Sequence, residues 1–315
     1  MICGISGQDG AYLAKLLLDK GYEVWGTSRD AQMAGFQNLR VLGVVERVKL
    51  VSMAPSDFRS VLSAITRSEP AEIYYLAGQS SVGLSYEQPI EALQSNSLGI
   101  LNSLEAIRSL GKRVKLYHAG TGECFGNLGQ QAAKEDTPFR PISPYAVTKA
   151  AAHWLVASYR DAYGLFACNG ILFNHESPSR PARFVTQKIV SAAGRIAGGS
   201  REKLALGRLD IVRDWGWAPE YVDAMWRMMQ QDEPDDYIVA TGESHSIEEF
   251  ASEAFASFGL DWREHVVSDP ALFRPTDLLG NRGDPEKAAV KLRWRAQWRM
   301  REVVRGMVEA IRVRA

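Results

Sequence analysis

Only three of the 315 residues are cysteines, Cys3, Cys124 and Cys168, and no two of them stand at a CxxC or CxxH spacing. That pattern argues against a zinc site and a disulfide framework; no metal is expected, and a reducing, cytoplasmic location is. An excess of charge of one sign is also lacking. Thirty-seven Lys and Arg balance 37 Asp and Glu, so nothing global draws the chain to nucleic acid or an anionic membrane. Long apolar runs are missing too: "AYLAKLLLDKGYEV" is cut by Lys15, Asp19 and Lys20, and no basic segment precedes it. Neither a membrane span nor a signal peptide is expected. There is no internal repeat and no low-complexity tract. What is present is 46% hydrophobic residues, enough to fill the core of one large α/β unit or two domains.

The opening "GISGQDGAYLAKLLLDKGYEVWGTSRD" holds a glycine turn, then Leu13, Leu16 and Leu17 at helical spacing, Gly21 as a stop, and a strand over 22–27. Strand-like runs follow at 71–78 and 114–120, separated by the helical pattern "IEALQSNSLGILNSLEAIRSLG". The alternating run Val114-Lys115-Leu116-Tyr117 reads as half-buried strand. Strands alternating with helices predict an α/β fold with a doubly wound parallel sheet. Past residue 170 the rhythm loosens into the proline-marked "NHESPSRPARF". A nucleotide-binding domain over 1–170, with some later segments returning to it, and a smaller, mainly substrate-binding lobe over 171–315 are expected. The C-terminal stretch 291–315 carries eight Lys and Arg against two Glu, yet Met300, Val303, Val304, Met307, Val308 and Ile311 fall on one helical face. It reads as an amphipathic helix packed on the core with a solvated basic side.

Gly4, Gly7 and Gly10 form G-x-x-G-x-x-G between a strand and a helix, with Gln8 and Asp9 inside the same loop. Glycines let a backbone approach a pyrophosphate, and the helix N-terminus offers N–H groups and the positive end of its dipole. These five residues are expected to bind a dinucleotide. At the end of the second strand Arg29 favours the 2′-phosphate of NADP, while the adjacent Asp30 leaves NAD open.

The segment "HAGTGECFG" (118–126) ends a strand with a hydroxyl and a carboxylate, Thr121 and Glu123, separated by one glycine. "SPYAVTK" then places Tyr145 and Lys149 at i, i+4, with Ser143 as N-cap and Pro144 at the first helical position. Phenol and ammonium share one helix face. There the lysine can lower the tyrosine's pKa, making it a base, and hold a nicotinamide ribose.

Together with "GQDGAYLAKLLLDKGYEV", "NGILFNHESP", "FVTQKIV", "RDWGWAPEYVDAMW" and "VATGESHSIEEF", these motifs resemble the GDP-mannose 4,6-dehydratase family of extended short-chain dehydrogenases/reductases over almost the whole chain. The resemblance implies a Rossmann-like sheet and an NADP-dependent hydro-lyase of deoxysugar biosynthesis. It makes Thr121, Glu123, Tyr145 and Lys149 catalytic. Tyr145, assisted by Thr121, would take the 4-hydroxyl proton as hydride leaves C4. Glu123 would then remove the C5 proton, the 6-hydroxyl would be eliminated, and the hydride would return to C6. Asn174, Lys188, Arg213 and Arg274 match family positions on the diphosphate and ribose of a GDP-sugar, and Asp277 matches a glutamate in the R-P-T-E motif. His175 and Glu176 read as braces of their loop. A homodimer or homotetramer is implied.

The chain also departs from the family. Only three residues precede Gly4, and "AQMAGFQNLRVLG" replaces a serine-rich loop that helps build tetramers in relatives. An aspartate expected near the adenine is Ala54. Gly122 stands for a serine and Ser81 for a histidine, both smaller, and extra room beside C6 would suit a GDP-manno-heptose. An epimerase or 4-reductase of the same fold and a catalytically silent nucleotide-sugar binder complete the alternatives; Glu123 speaks against the epimerase, and the intact Thr121, Tyr145 and Lys149 against the silent binder.

Overall fold

The computed structural model describes residues 1–129 and 131–313. β1 (Ile2–Cys3), β2 (Trp25–Ser28), β3 (Lys49–Ser52), β4 (Glu72–Tyr75), β5 (Lys115–Thr121) and β6 (Ala167–Leu172) join the strand Tyr237–Val239 in one seven-stranded sheet. Its order is Tyr237–Val239, β6, β5, β4, β1, β2, β3, and every pairing is parallel. The order reverses at β1, whose two buried residues pair on one side with Gly26 and Thr27 and on the other with Tyr74 and Tyr75. A doubly wound sheet of this kind opens its ligand crevice at the carboxyl ends of the strands, beside that reversal.

Helices cover both faces, and this overrides the alternating pattern read at the start of β5. Leu116, Tyr117 and His118 are buried in succession, because a parallel strand inside such a sheet has no solvent face. The second strand begins at Trp25, later than its apolar pattern indicates, since Gly21 takes a left-handed conformation (φ 85°) and Tyr22 to Val24 run as a link. The segment 89–110 is helical, as its periodicity implies, but Gln94–Leu98 forms a π-helical turn within it.

Beyond β6 the strand Asn174–Glu176 leaves the sheet and pairs with Trp215–Trp217. A separate core follows: Ile189 and Val190 from helix Val185–Ala197 pack with Phe250 and Phe255 from helix Ile247–Ala256 and with Val303, Val304, Met307 and Val308 from helix Met300–Arg312. The chain returns to the first body twice. Helix Ala218–Met229 packs on helix Gln8–Asp19, and Tyr237–Val239 extends the sheet beside β6. In the C-terminal stretch the apolar face is buried, and Arg295, Arg299, Arg301 and Arg312 pair with Glu286, Glu243, Glu253 and Glu309. Arg314, also counted in that basic stretch, lies outside the described residues. Cys3, Cys124 and Cys168 are free and buried. Among the described residues no helix is long and apolar enough to cross a membrane.

Candidate active site

A cavity of about 1320 Å³ opens along the carboxyl edge of the sheet, between it and the segments that follow β6. On the dinucleotide side the three glycines do different work. A Cβ on Gly4 would fall 2.9 Å from the Ala77 backbone, and one on Gly10 only 2.5 Å from the Gly4 carbonyl oxygen. Both are therefore required for the turn and for seating the helix. Gly7 is open toward the cavity and caps helix Gln8–Asp19 without a side chain, which leaves the helix N-terminus available to an anion.

Gln8 and Asp9 line the same cavity, but their side chains are committed to the strand Asn174–Glu176 and its continuation. Gln8 Nε2 donates to the His175 carbonyl at 3.1 Å, Ser177 Oγ donates to Gln8 Oε1 at 2.8 Å, and Asp9 Oδ2 lies 2.8 Å from His175 Nε2. Burial works against ionising Asp9, but the His175 charge, the hydrogen bonds from His175 and Gln8 and the Arg180 charge together hold the carboxyl below its usual range. After β2, Arg29 reaches the cavity and stands 3.7 Å from Glu91. Asp30 turns elsewhere: its Oδ1 accepts the N–H groups of Gln32 and Met33, both at 3.0 Å. Where the adenine-side aspartate is replaced, Ala54 lines the cavity and the nearby Asp57 caps helix Phe58–Ser68, so it does not substitute.

Thr121, Glu123, Tyr145 and Lys149 meet where β5 ends. Ser143 caps helix Pro144–Tyr163 by accepting the Ala146 N–H at 3.1 Å, with Pro144 in its first turn. The Thr121 hydroxyl accepts the Glu123 N–H at 3.3 Å, which turns the Glu123 side chain away from the strand and toward the Arg213 guanidinium, 3.8 Å away. Arg213 is buried and also donates to the carbonyls of Leu278 and Val212.

Burial sets the resting charge states of both Tyr145 and Lys149. Burial raises the Tyr145 pKa, and the groups that oppose the rise are the Thr121 hydroxyl and the Arg180 charge. Lys149 donates to the Ala119 carbonyl at 2.9 Å, and its own pKa is pushed down to about 8 by burial. Beneath it His118 is held neutral, its pKa pushed by burial to about 3, and its Nδ1 faces Asn169 Oδ1 at 2.9 Å.

Helix Pro144–Tyr163 is fixed from behind by the π-helical turn. Asn96 Nδ2 donates to the Gln79 carbonyl and to Thr148 Oγ1, and Ser97 Oγ donates to the Thr148 carbonyl at 2.7 Å. A π-turn re-aims side chains by one position, which a search for α-helical spacing cannot reveal.

The space that Gly122 leaves is not empty. A Cβ there would lie 2.8 Å from Phe173 Cζ, and one on Gly283 would lie 2.7 Å from Phe173 Cε2. The ring is wedged between two glycines, so close packing has refilled the room expected beside the sugar site. Ser81 differs: its hydroxyl caps helix Val82–Glu87 at Leu84 N, and its surroundings remain part of the cavity.

On the opposite wall Asn174, Lys188, Arg213, Arg274 and Asp277 all line the cavity. Arg274 and Asp277 are near enough to Arg213 to affect its charge. Their segment is held by the Thr276 hydroxyl, which bonds the Ile142 carbonyl at 2.6 Å and the Tyr86 phenol. Arg180 also faces the cavity, paired with the buried Glu176 at 3.1 Å and lying over the Phe184 ring. Sequence reasoning missed it. The i, i+4 spacing from Glu176 was the available signal.

A family model described as GDP-mannose 4,6 dehydratase matches residues 1–307. GDP-mannose 4,6 dehydratase 1 of Arabidopsis thaliana is 45% identical, across 98% of this chain and 88% of the relative. GDP-mannose 4,6-dehydratase of Sinorhizobium fredii is 42% identical, across 98% of this chain and 95% of its own length. Among solved structures, the UDP-glucose 4-epimerase of Thermus thermophilus in complex with NAD matches with a TM-score of 0.87 at 28% identity, covering 99% of this chain and 98% of that one.

The wedge has a measurable cost. Gly122→Ser is expected to lower unfolding free energy by about 1–3 kcal/mol through overpacking against Phe173, read by urea denaturation. Unchanged stability would mean that the ring moves aside freely.

Proposed function

The chain belongs to the GDP-mannose 4,6-dehydratase family, and we propose that it converts GDP-mannose to GDP-4-keto-6-deoxymannose as a hydro-lyase. The observation that carries this reading is the meeting of Glu123 with Thr121, Tyr145 and Lys149 in one cavity, opposite the cationic wall of Lys188, Arg213 and Arg274. A 4-epimerization needs a hydroxyl acid or base but no carboxylate beside it. Elimination across C5 and C6 needs one.

In this mechanism Thr121 holds the sugar's 4-hydroxyl, and Tyr145 takes its proton as C4 becomes a ketone; the ketone persists in the product, and Tyr145 gives its proton up again, directly or through water, as C5 is reprotonated after the elimination. Glu123 removes the C5 proton once C4 is a ketone, and it or a water protonates the departing 6-hydroxyl. Asn174, Lys188, Arg213, Arg274 and Asp277 bind the GDP portion, with the guanidinium groups suited to a diphosphate. The residues present fit a dinucleotide: the helix N-terminus behind Gly7 carries no capping side chain, and Gly4 and Gly10 make the close approaches that seat it. A bound nicotinamide supplies reversible hydride storage, so the reaction has no net redox change. Gly4, Gly7 and Gly10 cradle its diphosphate, Gln8 and Asp9 shape that turn, and Lys149 holds the ribose.

NADP rather than NAD is the proposed cofactor. Arg29 lines the cavity just past β2, where a guanidinium suits a 2′-phosphate, while Asp30, the residue that would favour a free ribose, is occupied by its own turn. Residues 1–170 with Ala218–Met229 and Tyr237–Val239 form the proposed dinucleotide domain, and the rest of 171–315 the substrate lobe. A homodimer or homotetramer in the cytoplasm completes the reading. Val147 and Trp154, seven residues apart on one helix, and Ile90 and Leu93 on its neighbour are exposed apolar side chains, and Trp154 is 61% exposed.

Four measurements test this. Proton NMR of the purified protein with GDP-mannose should show a new 6-deoxy methyl signal while added cofactor stays unchanged; turnover of GDP-manno-heptose alone would transfer the activity to that substrate, and no turnover of either would favour a silent binder. Glu123→Gln should keep sugar-nucleotide affinity near normal and lower kcat by about 10²–10⁴-fold, and a wild-type rate would remove Glu123 from the mechanism. Arg29→Ala should weaken NADPH binding while leaving NADH binding nearly unchanged, in titrations followed by cofactor fluorescence; equal losses would refute the NADP assignment. Sedimentation velocity reads the oligomer directly, and a monomer would refute it.

A further inference from the structure

His175 touches no reacting group, yet it bonds the two walls of the cavity to each other. Its buried ring stacks on Tyr221, with centroids 4.6 Å apart. Nδ1 lies 2.7 Å from the Phe173 carbonyl oxygen and Nε2 lies 2.8 Å from Asp9 Oδ2. A carbonyl and a carboxylate only accept, so both ring nitrogens must donate, and only the imidazolium satisfies both. Gln8 tightens the junction by donating to the His175 carbonyl and to Asp9 Oδ1.

Asp9 sits in the first turn of helix Gln8–Asp19, beside the free N–H groups behind Gly7. A lone carboxylate there would oppose an anionic diphosphate. Paired with an imidazolium, it would not. Resting on the dinucleotide reading above, we infer that His175 is a positioning residue that neutralises Asp9 and so keeps the helix N-terminus receptive to the cofactor diphosphate, while fixing the substrate strand Asn174–Glu176 against that same turn.

The other charges facing the ring agree with this. Burial is the largest influence against its protonation and Arg180, itself paired with Glu176, adds to it, but the Asp9 charge and hydrogen bond together with the bond to the Phe173 carbonyl overcome both, and the His175 pKa is raised. With the folded value above 6.5 for His175 and below 3.8 for Asp9, the pair is intact between those limits. Its contribution fades as pH rises through the folded His175 value, and again as pH falls through that of Asp9.

The test uses the full chain and NADPH binding rather than turnover. His175→Gln keeps a donor but removes the charge, and is expected to weaken NADPH binding on the order of tenfold. Asp9→Asn/His175→Gln removes the uncompensated carboxylate and should recover most of that loss, which a purely structural role for His175 would not allow. The wild-type affinity should fall as pH rises through the His175 pKa, and that fall should be absent in Asp9→Asn. In the cofactor-free protein, nitrogen-15 NMR should show both ring nitrogens protonated at about pH 6, inside that window, a readout that survives even if the single variant fails to fold. A neutral ring, or a double variant no better than His175→Gln, overturns the inference. Product formation from GDP-mannose is read separately and bears only on the proposed function.

Discussion

Two backbone approaches, Gly4 against Ala77 and Gly10 against the Gly4 carbonyl, hold the first turn of the chain so tightly to the sheet that neither position has room for a methyl group. The geometry downstream depends on them. Because the helix is seated that closely, its N-terminal turn lies at the sheet's edge, where Gln8 and Asp9 can reach across to the strand Asn174–Glu176. The order of strands places β1 at the reversal point, so the same turn is also where the crevice opens. A steric constraint on a few backbone atoms thereby sets where an anion can rest and which distant segment is bonded to it.

The site is also shaped by what burial does to charge. Lys149 and His118 are driven toward their neutral forms, and the Tyr145 phenol toward its protonated one. Where charge persists in the interior it does so in pairs: Asp9 with His175, Glu176 with Arg180, Glu123 with Arg213. Each pair joins elements far apart in sequence except Glu176 with Arg180, which braces one loop.

Much of this was legible in the sequence because it is local. The glycine loop, the Ser143 cap with Pro144, the i, i+4 pairing of Tyr145 with Lys149 and the hydroxyl and carboxylate at the end of β5 each occupy a few consecutive residues. The sheet followed from alternation of strands and helices, although the half-buried reading of β5 failed because helices cover both faces. What escaped was tertiary. The π-turn that ties Asn96 and Ser97 to Thr148 breaks the periodicity by which helices are recognised, and the bond from Lys149 to the Ala119 carbonyl joins two elements distant in sequence. The cation Arg180 faces the phenol only because the chain folds back after β6. The room inferred beside Gly122 was a subtraction made on one residue, and it ignored Phe173, whose ring arrives from the end of β6.

That wedged ring has an evolutionary side. Gly122, Phe173 and Gly283 come from three separate stretches of chain, and enlarging either glycine collides with the aromatic ring, while trimming the ring alone leaves a void. Any lineage that reshapes this corner must therefore pass through a less stable intermediate or change two positions together. The corner is insulated from drift by single substitutions, whereas the neighbouring wall at Ser81 can vary one residue at a time; divergence in what the cavity accepts would start from that side.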